Sequence, residues 1–217
     1  MALKLIIASK NYSSWSLRPW LALTHHKMPF EEVMIPLDQP DTKVRIAKYS
    51  PAGKVPILID GKDTVWESLA ILEHLDERFP DAKLWPADPS ARAHARAIAA
   101  EMHAGFSALR QHCPMNIRRK KKRPLTPPVQ DDINRITQMW RGARERFGAG
   151  GDYLFGAFSA ADCMYAPVAT RIMSYEIDVD QTSADYVSAI YRLPAFAAWR
   201  DAAITEPWPY PATDTVA

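Results

Sequence analysis

Cysteine is almost missing from this 217-residue chain, which has two. Two thiols exclude a disulfide framework and point to a reducing cytoplasm. A surplus of one charge is missing too: 27 Lys and Arg against 25 Asp and Glu leave a formal net charge of +2. So neutral a molecule offers nucleic acid no electrostatic footprint. No apolar run is long enough to span a bilayer. The apolar stretch after Met1 is too short for a signal peptide and lacks a cleavage site. Six histidines occur without ligand spacing, and His94 and His103 face opposite sides of a predicted helix, so no metal site is expected. Repeats and low-complexity segments are also lacking. What is present is 47% hydrophobic residues, enough for one large or two small packed domains.

Leu3–Ala8 is a nearly continuous apolar run, as in a strand buried on both faces. A helix is predicted from near Ser16 to about Lys27, with Pro19 in its first turn and His25-His26 placed to complement its C-terminal dipole. Phe30–Leu37 alternates as a second strand, parallel to the first because a helix crosses between them. Gln39-Pro40-Asp41 opens a short helix to about Lys48. Ile57-Leu58, the turn Asp60-Gly61-Lys62-Asp63 and Thr64-Val65-Trp66 make a hairpin, and a helix runs from Glu67 through Phe79. The order β-α-β-α-β-β-α is that of a thioredoxin-like α/β domain, placed at residues 1–82. Three prolines in the stretch Phe79 to Pro89 mark a boundary. From residue 88 to 217 the pattern is all-α: an apolar stripe from Ala91 to Cys113, another from Val129 to Phe147, and a helix opened by a Ser159–Asp162 capping box. Shorter helices follow near 184–191 and 195–204. Arg118–Arg123, six basic residues in a row without interleaved aromatics for stacking bases, reads as a solvated loop, with a handle for an acidic partner or a rim attracting anionic substrates as the alternative.

The chemistry concentrates in two places. Tyr49-Ser50-Pro51-Ala52-Gly53-Lys54-Val55-Pro56 is a loop ending in a proline where a strand begins, and a cis Val55–Pro56 bond is expected there. That bond would turn the Val55 amide and carbonyl toward an extended peptide-like ligand. The helix start at Glu67-Ser68 offers free amides to a carboxylate. The second place is the loop Asn11-Tyr12-Ser13-Ser14-Trp15-Ser16 between the first strand and first helix. It holds no cysteine, so its hydroxyls are what it can use. A free thiol has pKa about 8.5. A charge-assisted hydrogen bond of roughly 1.5–3 kcal/mol, with about 0.3–1 from a helix dipole, would leave it half ionised or better at neutral pH.

Lys54-Val55-Pro56 followed by Glu67-Ser68 resembles the glutathione-binding half of the glutathione transferases, and the Ser159–Asp162 box extends the resemblance to the helical region. The resemblance implies glutathione as cosubstrate: Val55 pairs with its cysteinyl unit, Glu67 and Ser68 hold the γ-glutamyl end, and Lys54 meets the glycyl carboxylate. It implies a thiolate-stabilising hydroxyl from Ser14, Ser13 or Tyr12, in that order. Ser14 stands four residues before Arg18, as in some serine-type classes; the zeta-type register selects Ser13, but Trp15 then replaces that pattern's cysteine. It further implies a homodimer and a hydrophobic electrophile conjugated in the cleft between the domains, near Trp15, Met102 and Phe106. Two alternatives stay open: a non-catalytic transferase-like binding protein and a glutathione-dependent isomerase.

Overall fold

The computed structural model describes residues 3–215; the outer ends of the two expected domains, residues 1–2 and 216–217, lie outside the described residues. β1 (Leu3–Ala8) is buried along its length except at Lys4. It pairs in parallel with β2 (Phe30–Ile35) and antiparallel with β3 (Ile57–Asp60). Gly61, at φ 64, and Lys62 turn β3 into β4 (Asp63–Trp66). The strand order is β2-β1-β3-β4. With α1 (Ser14–His25), α2 (Thr42–Ala47) and α3 (Ser68–Arg78), the expected β-α-β-α-β-β-α order is complete.

α1 begins two residues before its predicted start, because Ser13 caps it by accepting from the Ser16 amide. Pro19 therefore falls inside the helix rather than in its first turn. It withholds the N–H that the Trp15 carbonyl would otherwise receive. The pair at the helix end is not a cationic complement to the dipole. Burial depresses the pKa of both imidazoles, His26 to about 4, and keeps them neutral.

After a 3-10 turn at Pro80–Ala82 the chain is helical: α4 (Pro89–Ala104), α5 (Ser107–His112), α6 (Pro127–Phe147), α7 (Ala160–Ser174), α8 (Gln181–Arg192), α9 (Pro194–Thr205) and a short α10 (Pro211–Asp214). The stripe from Ala91 to Cys113 is not one helix. Gly105 is extended and Phe106 left-handed, at φ 61 and ψ 41, so the chain breaks between α4 and α5. Glycine is a poor helix former, and the Arg110 guanidinium reaches back to the carbonyls of Met102, His103 and Gly105, satisfying the end of α4. Leu109 and Cys113 remain fully buried, so the break preserves the apolar face that produced the stripe.

α7 lies at the centre. It packs on α1, α4 and α8, and nearly all its residues are buried, including Cys163 and the internal Pro167. One apolar core runs from β1 through to Trp199 of α9. A smaller one (Ile6, Ile35, Ile46, Ile57) covers the opposite sheet face. The basic run is only partly the free loop the sequence predicts. Arg118 donates to the carbonyls of Glu206 and Trp208, Arg123 to that of His112, and Lys122 pairs with Asp178 at 3.1 Å.

Candidate active site

Two adjoining cavities open where the sheet meets the helical layer, and Trp15, Lys54 and Val55 line both. The smaller, about 220 Å³, is closed by Pro56, Trp66, Glu67 and Ser68. The larger, about 570 Å³, is bounded by Tyr12, Ser13 and Ser14 on one side and by Arg110, Arg171 and Tyr210 on the other. The eight residues Tyr12, Ser13, Ser14, Lys54, Val55, Pro56, Glu67 and Ser68 thus border one continuous cleft, although three separate segments of the chain supply them.

Their surroundings differ. The Val55–Pro56 bond is cis, and Val55 precedes β3, outside the sheet's register pairs. Pro56 is buried and Lys54 exposed. Ser68, fully buried, opens α3, and its hydroxyl accepts from Arg18 Nη1 at 3.2 Å. Glu67 just before it has φ 69 and ψ 122, a region that costs a non-glycine residue about 1–3 kcal/mol. Strain of that size persists where surrounding contacts enforce it, and here His103 Nε2 lies 3.5 Å from the Glu67 carboxylate. The positive φ carries no signature in the local sequence.

The three hydroxyl candidates separate clearly. Tyr12 Oη donates to Asp214, at 2.9 and 3.0 Å from its two carboxylate oxygens, and accepts from Arg118 and the Tyr210 amide. Burial and the Asp214 carboxylate raise its pKa. Ser13 is the helix cap, and its Oγ lies 2.7 Å from Ser16 Oγ. Ser14 is the first residue of α1, is buried and lines the larger cavity; its amide donates to the Tyr12 carbonyl at 3.0 Å, and its hydroxyl has no hydrogen-bond partner among the described residues. Met102 and Phe106 are buried in the core and do not line the cleft, so of the three residues expected at the acceptor side only Trp15 is there.

The sequence reading missed the cations behind this wall. The guanidinium carbons of Arg18 and Arg110 lie 4.2 and 4.5 Å from the centroid of the Trp15 ring. Arg171, in α7, is almost fully buried and donates to the carbonyls of Cys113 at 2.8 Å and Pro167 at 3.0 Å. One signal was available: Arg171 is the lone charge between Cys163 and Ser174 in an otherwise apolar and small-residue helix. The C-terminal segment was also missed. It closes over the Tyr12 loop through Glu206, which accepts from the amides of Lys10 and Asn11 at 2.7 and 3.1 Å.

Residues 12–78 match the family model described as the glutathione S-transferase N-terminal domain. A probable maleylacetoacetate isomerase of Caenorhabditis elegans is 36% identical over 110 residues, covering 51% of each chain, so the match spans about half the length of that relative. A zeta-class glutathione S-transferase of Euphorbia esula is 27% identical over 186 residues, covering 82% of this chain and 80% of the plant protein. Among solved structures, a glutathione S-transferase of Bombyx mori superposes with a TM-score of 0.76 at 19% identity, covering all of this chain and 97% of the other. A glutathione transferase homolog from Burkholderia with bound glutathione gives 0.69 at 21%, covering 93% and 97%. At such identities the structures speak for the fold alone. The match to the glutathione S-transferase N-terminal domain thus covers residues 12–78, and the chain as a whole shares the fold of the glutathione S-transferases.

Proposed function

We propose that the chain binds glutathione in the smaller cavity and activates its thiol beside Ser14, for reaction with an electrophile in the larger one. The observation that carries this reading is the unpartnered Ser14 hydroxyl at the first turn of α1, in the wall of a cleft that Val55 also lines. A hydroxyl there is free to donate to a thiolate, and the helix start adds its partial positive charge. Val55 offers backbone pairing to the cysteinyl unit, Glu67 and Ser68 face the γ-glutamyl end, and Lys54 is exposed for the glycyl carboxylate. Arg18 supports Ser68 from behind. A homodimer and a two-domain division near residues 82–88 belong to the same reading.

Thiolate absorbance against pH in the glutathione complex tests it. The bound thiol should titrate well below about 8.5. Ser14→Ala should raise that pKa by about one unit, since one unit corresponds to about 1.4 kcal/mol and the lost bond is of that order. Turnover at neutral pH falls and recovers as pH rises. Ser13→Ala and Tyr12→Phe should leave the titration in place, because those hydroxyls cap α1 and hold Asp214. A thiol pKa unmoved by all three substitutions refutes catalysis and leaves the binding-protein alternative.

The second reading is a glutathione-dependent isomerase. It is favoured by the name of the nematode relative and by that of a Vibrio cholerae protein, 26% identical over 198 residues. Trp15, where the zeta-type pattern has cysteine, counts against it. Product analysis separates the two: a transferase consumes glutathione stoichiometrically, whereas an isomerase returns it.

A further inference from the structure

Three guanidinium groups, two buried and that of Arg110 half-buried, gather behind the larger cavity with no ion-paired carboxylate among the described residues. Arg18, fully buried, gives Nη1 to Ser68, while its Nε and Nη2 have no partner. Arg110 spends Nε and Nη2 on the end of α4 and has Nη1 buried and unpartnered. Arg171 spends Nε and Nη1 on carbonyls, leaving Nη2 over, in the cavity wall. None of the three forms an ion pair among the described residues. Glu67 and Asp132 act on Arg18 and Arg110 only at a distance.

The cavity wall holds Lys54, Arg110 and Arg171 and not one aspartate or glutamate. Burial and mutual repulsion work against these charges: the pKa of Arg18 is lowered well below its ordinary value, and that of Arg171 to about 10. Guanidinium stays charged under almost any condition, so the arrangement is costly until an anion completes it. A planar carboxylate suits the leftover N–H groups, which present fixed donors.

We propose that the acceptor side of the cleft is a carboxylate site, in which Arg171 and Arg110 hold an acidic group of the second substrate while its reacting carbon faces Ser14. The inference rests on the glutathione reading, and it replaces a purely hydrophobic electrophile with an anionic one. Glutathione's own carboxylates are assigned to Ser68, in the smaller cavity, and to Lys54, where the two cavities meet, so Arg110 and Arg171, which line the larger cavity alone, await a further one.

Two dead-end conjugates test this directly: S-benzylglutathione and S-(4-carboxybenzyl)glutathione, which differ by one carboxylate on the acceptor side. Titration calorimetry on the full chain should find the carboxylated conjugate bound about tenfold tighter or better, as one charge-assisted contact implies. Arg171→Gln should abolish that difference, and Arg171→Lys should restore part of it. Equal binding of the two conjugates by the unaltered protein overturns the proposal, whether or not the variants fold. If neither conjugate nor glutathione binds, the glutathione reading fails, and benzoate against benzamide, followed by ligand-observed NMR, decides the anion site alone. Preferential benzoate binding that is lost in Arg171→Gln then supports the site. Equal binding of benzoate and benzamide overturns it.

Discussion

Ser68 shows how much one side chain can hold in this site. Its hydroxyl is fully buried, faces the smaller cavity and is the acceptor for an otherwise under-satisfied arginine. Ser68→Ala therefore removes a donor to glutathione and strands Arg18 Nη1 together. Glutathione affinity should fall about ten- to a hundredfold, the equivalent of roughly 1.5–3 kcal/mol. Stability should drop by about 1–3 kcal/mol, the cost of a buried unpaired donor. Calorimetric titration and denaturant unfolding of the same variant check both halves, and unchanged affinity in a folded variant would remove Ser68 from the site. Glu67 offers a contrast. Its strained backbone and its approach to His103 are products of the assembled fold, and nothing in Trp66-Glu67-Ser68 announces them.

Among the helices, α7 depends most on a single carboxylate. Asp162 accepts from the Ser159 amide at 2.8 Å, the Ser159 hydroxyl at 2.9 Å and the Leu154 amide at 3.1 Å, so the box read from the sequence is present. Burial nevertheless outweighs these bonds and raises its pKa from 3.8 to about 6. The folded state therefore holds this proton more tightly than the unfolded one. Its contribution to stability is full below about pH 4 and declines as pH rises through 6, opposite to an ordinary salt-bridged carboxylate. The decline amounts to about 3 kcal/mol if the two-unit shift is realised in full. Urea unfolding at pH 4.5 and 7 should show a shallower pH dependence in Asp162→Asn than in the parent protein. A variant of normal stability without activity would instead make Asp162 a catalytic acid.

At the scale of the whole molecule, the sheet and the helical layer share one core rather than meeting at a thin seam. Leu17 and Leu21 of α1 belong to the same cluster as Met164 and Val168 of α7, and the Trp199 indole donates to the Lys10 carbonyl at 3.0 Å. An interface so continuous should make the two parts unfold together. Scanning calorimetry is expected to give one transition with calorimetric and van't Hoff enthalpies in agreement. Two resolved transitions would mean that the two parts are thermodynamically separable. The C-terminal segment adds to this coupling, since Asp214 binds Tyr12 and Asn116 while Glu206 binds the backbone of the Tyr12 loop.

Features that depend on short-range periodicity and local chemistry were legible in the chain alone. β1 is a run of six buried except at Lys4, the hairpin turns at Gly61, and Asp88-Pro89 and the Ser159–Asp162 box start helices because their side chains satisfy nearby amides. The residues around the cleft were legible for the same reason, as a proline at a strand start and a serine at a helix start are local signals. Periodicity could not reveal the break at Gly105–Phe106, because Leu109 and Cys113 keep the apolar face in phase across it. Nor could it choose among Tyr12, Ser13 and Ser14. Their surroundings differ because Asp214, some two hundred residues away, engages Tyr12 and Ser16 engages Ser13, while the Ser14 hydroxyl has no partner among the described residues. The arginines are the strongest case. Arg18, Arg110 and Arg171 come from three helices far apart in the chain, and only packing α1 and α7 against each other, with α5 alongside, puts their charges at one site. Electrostatic energy depends on distance in space, and distance along the chain does not report it.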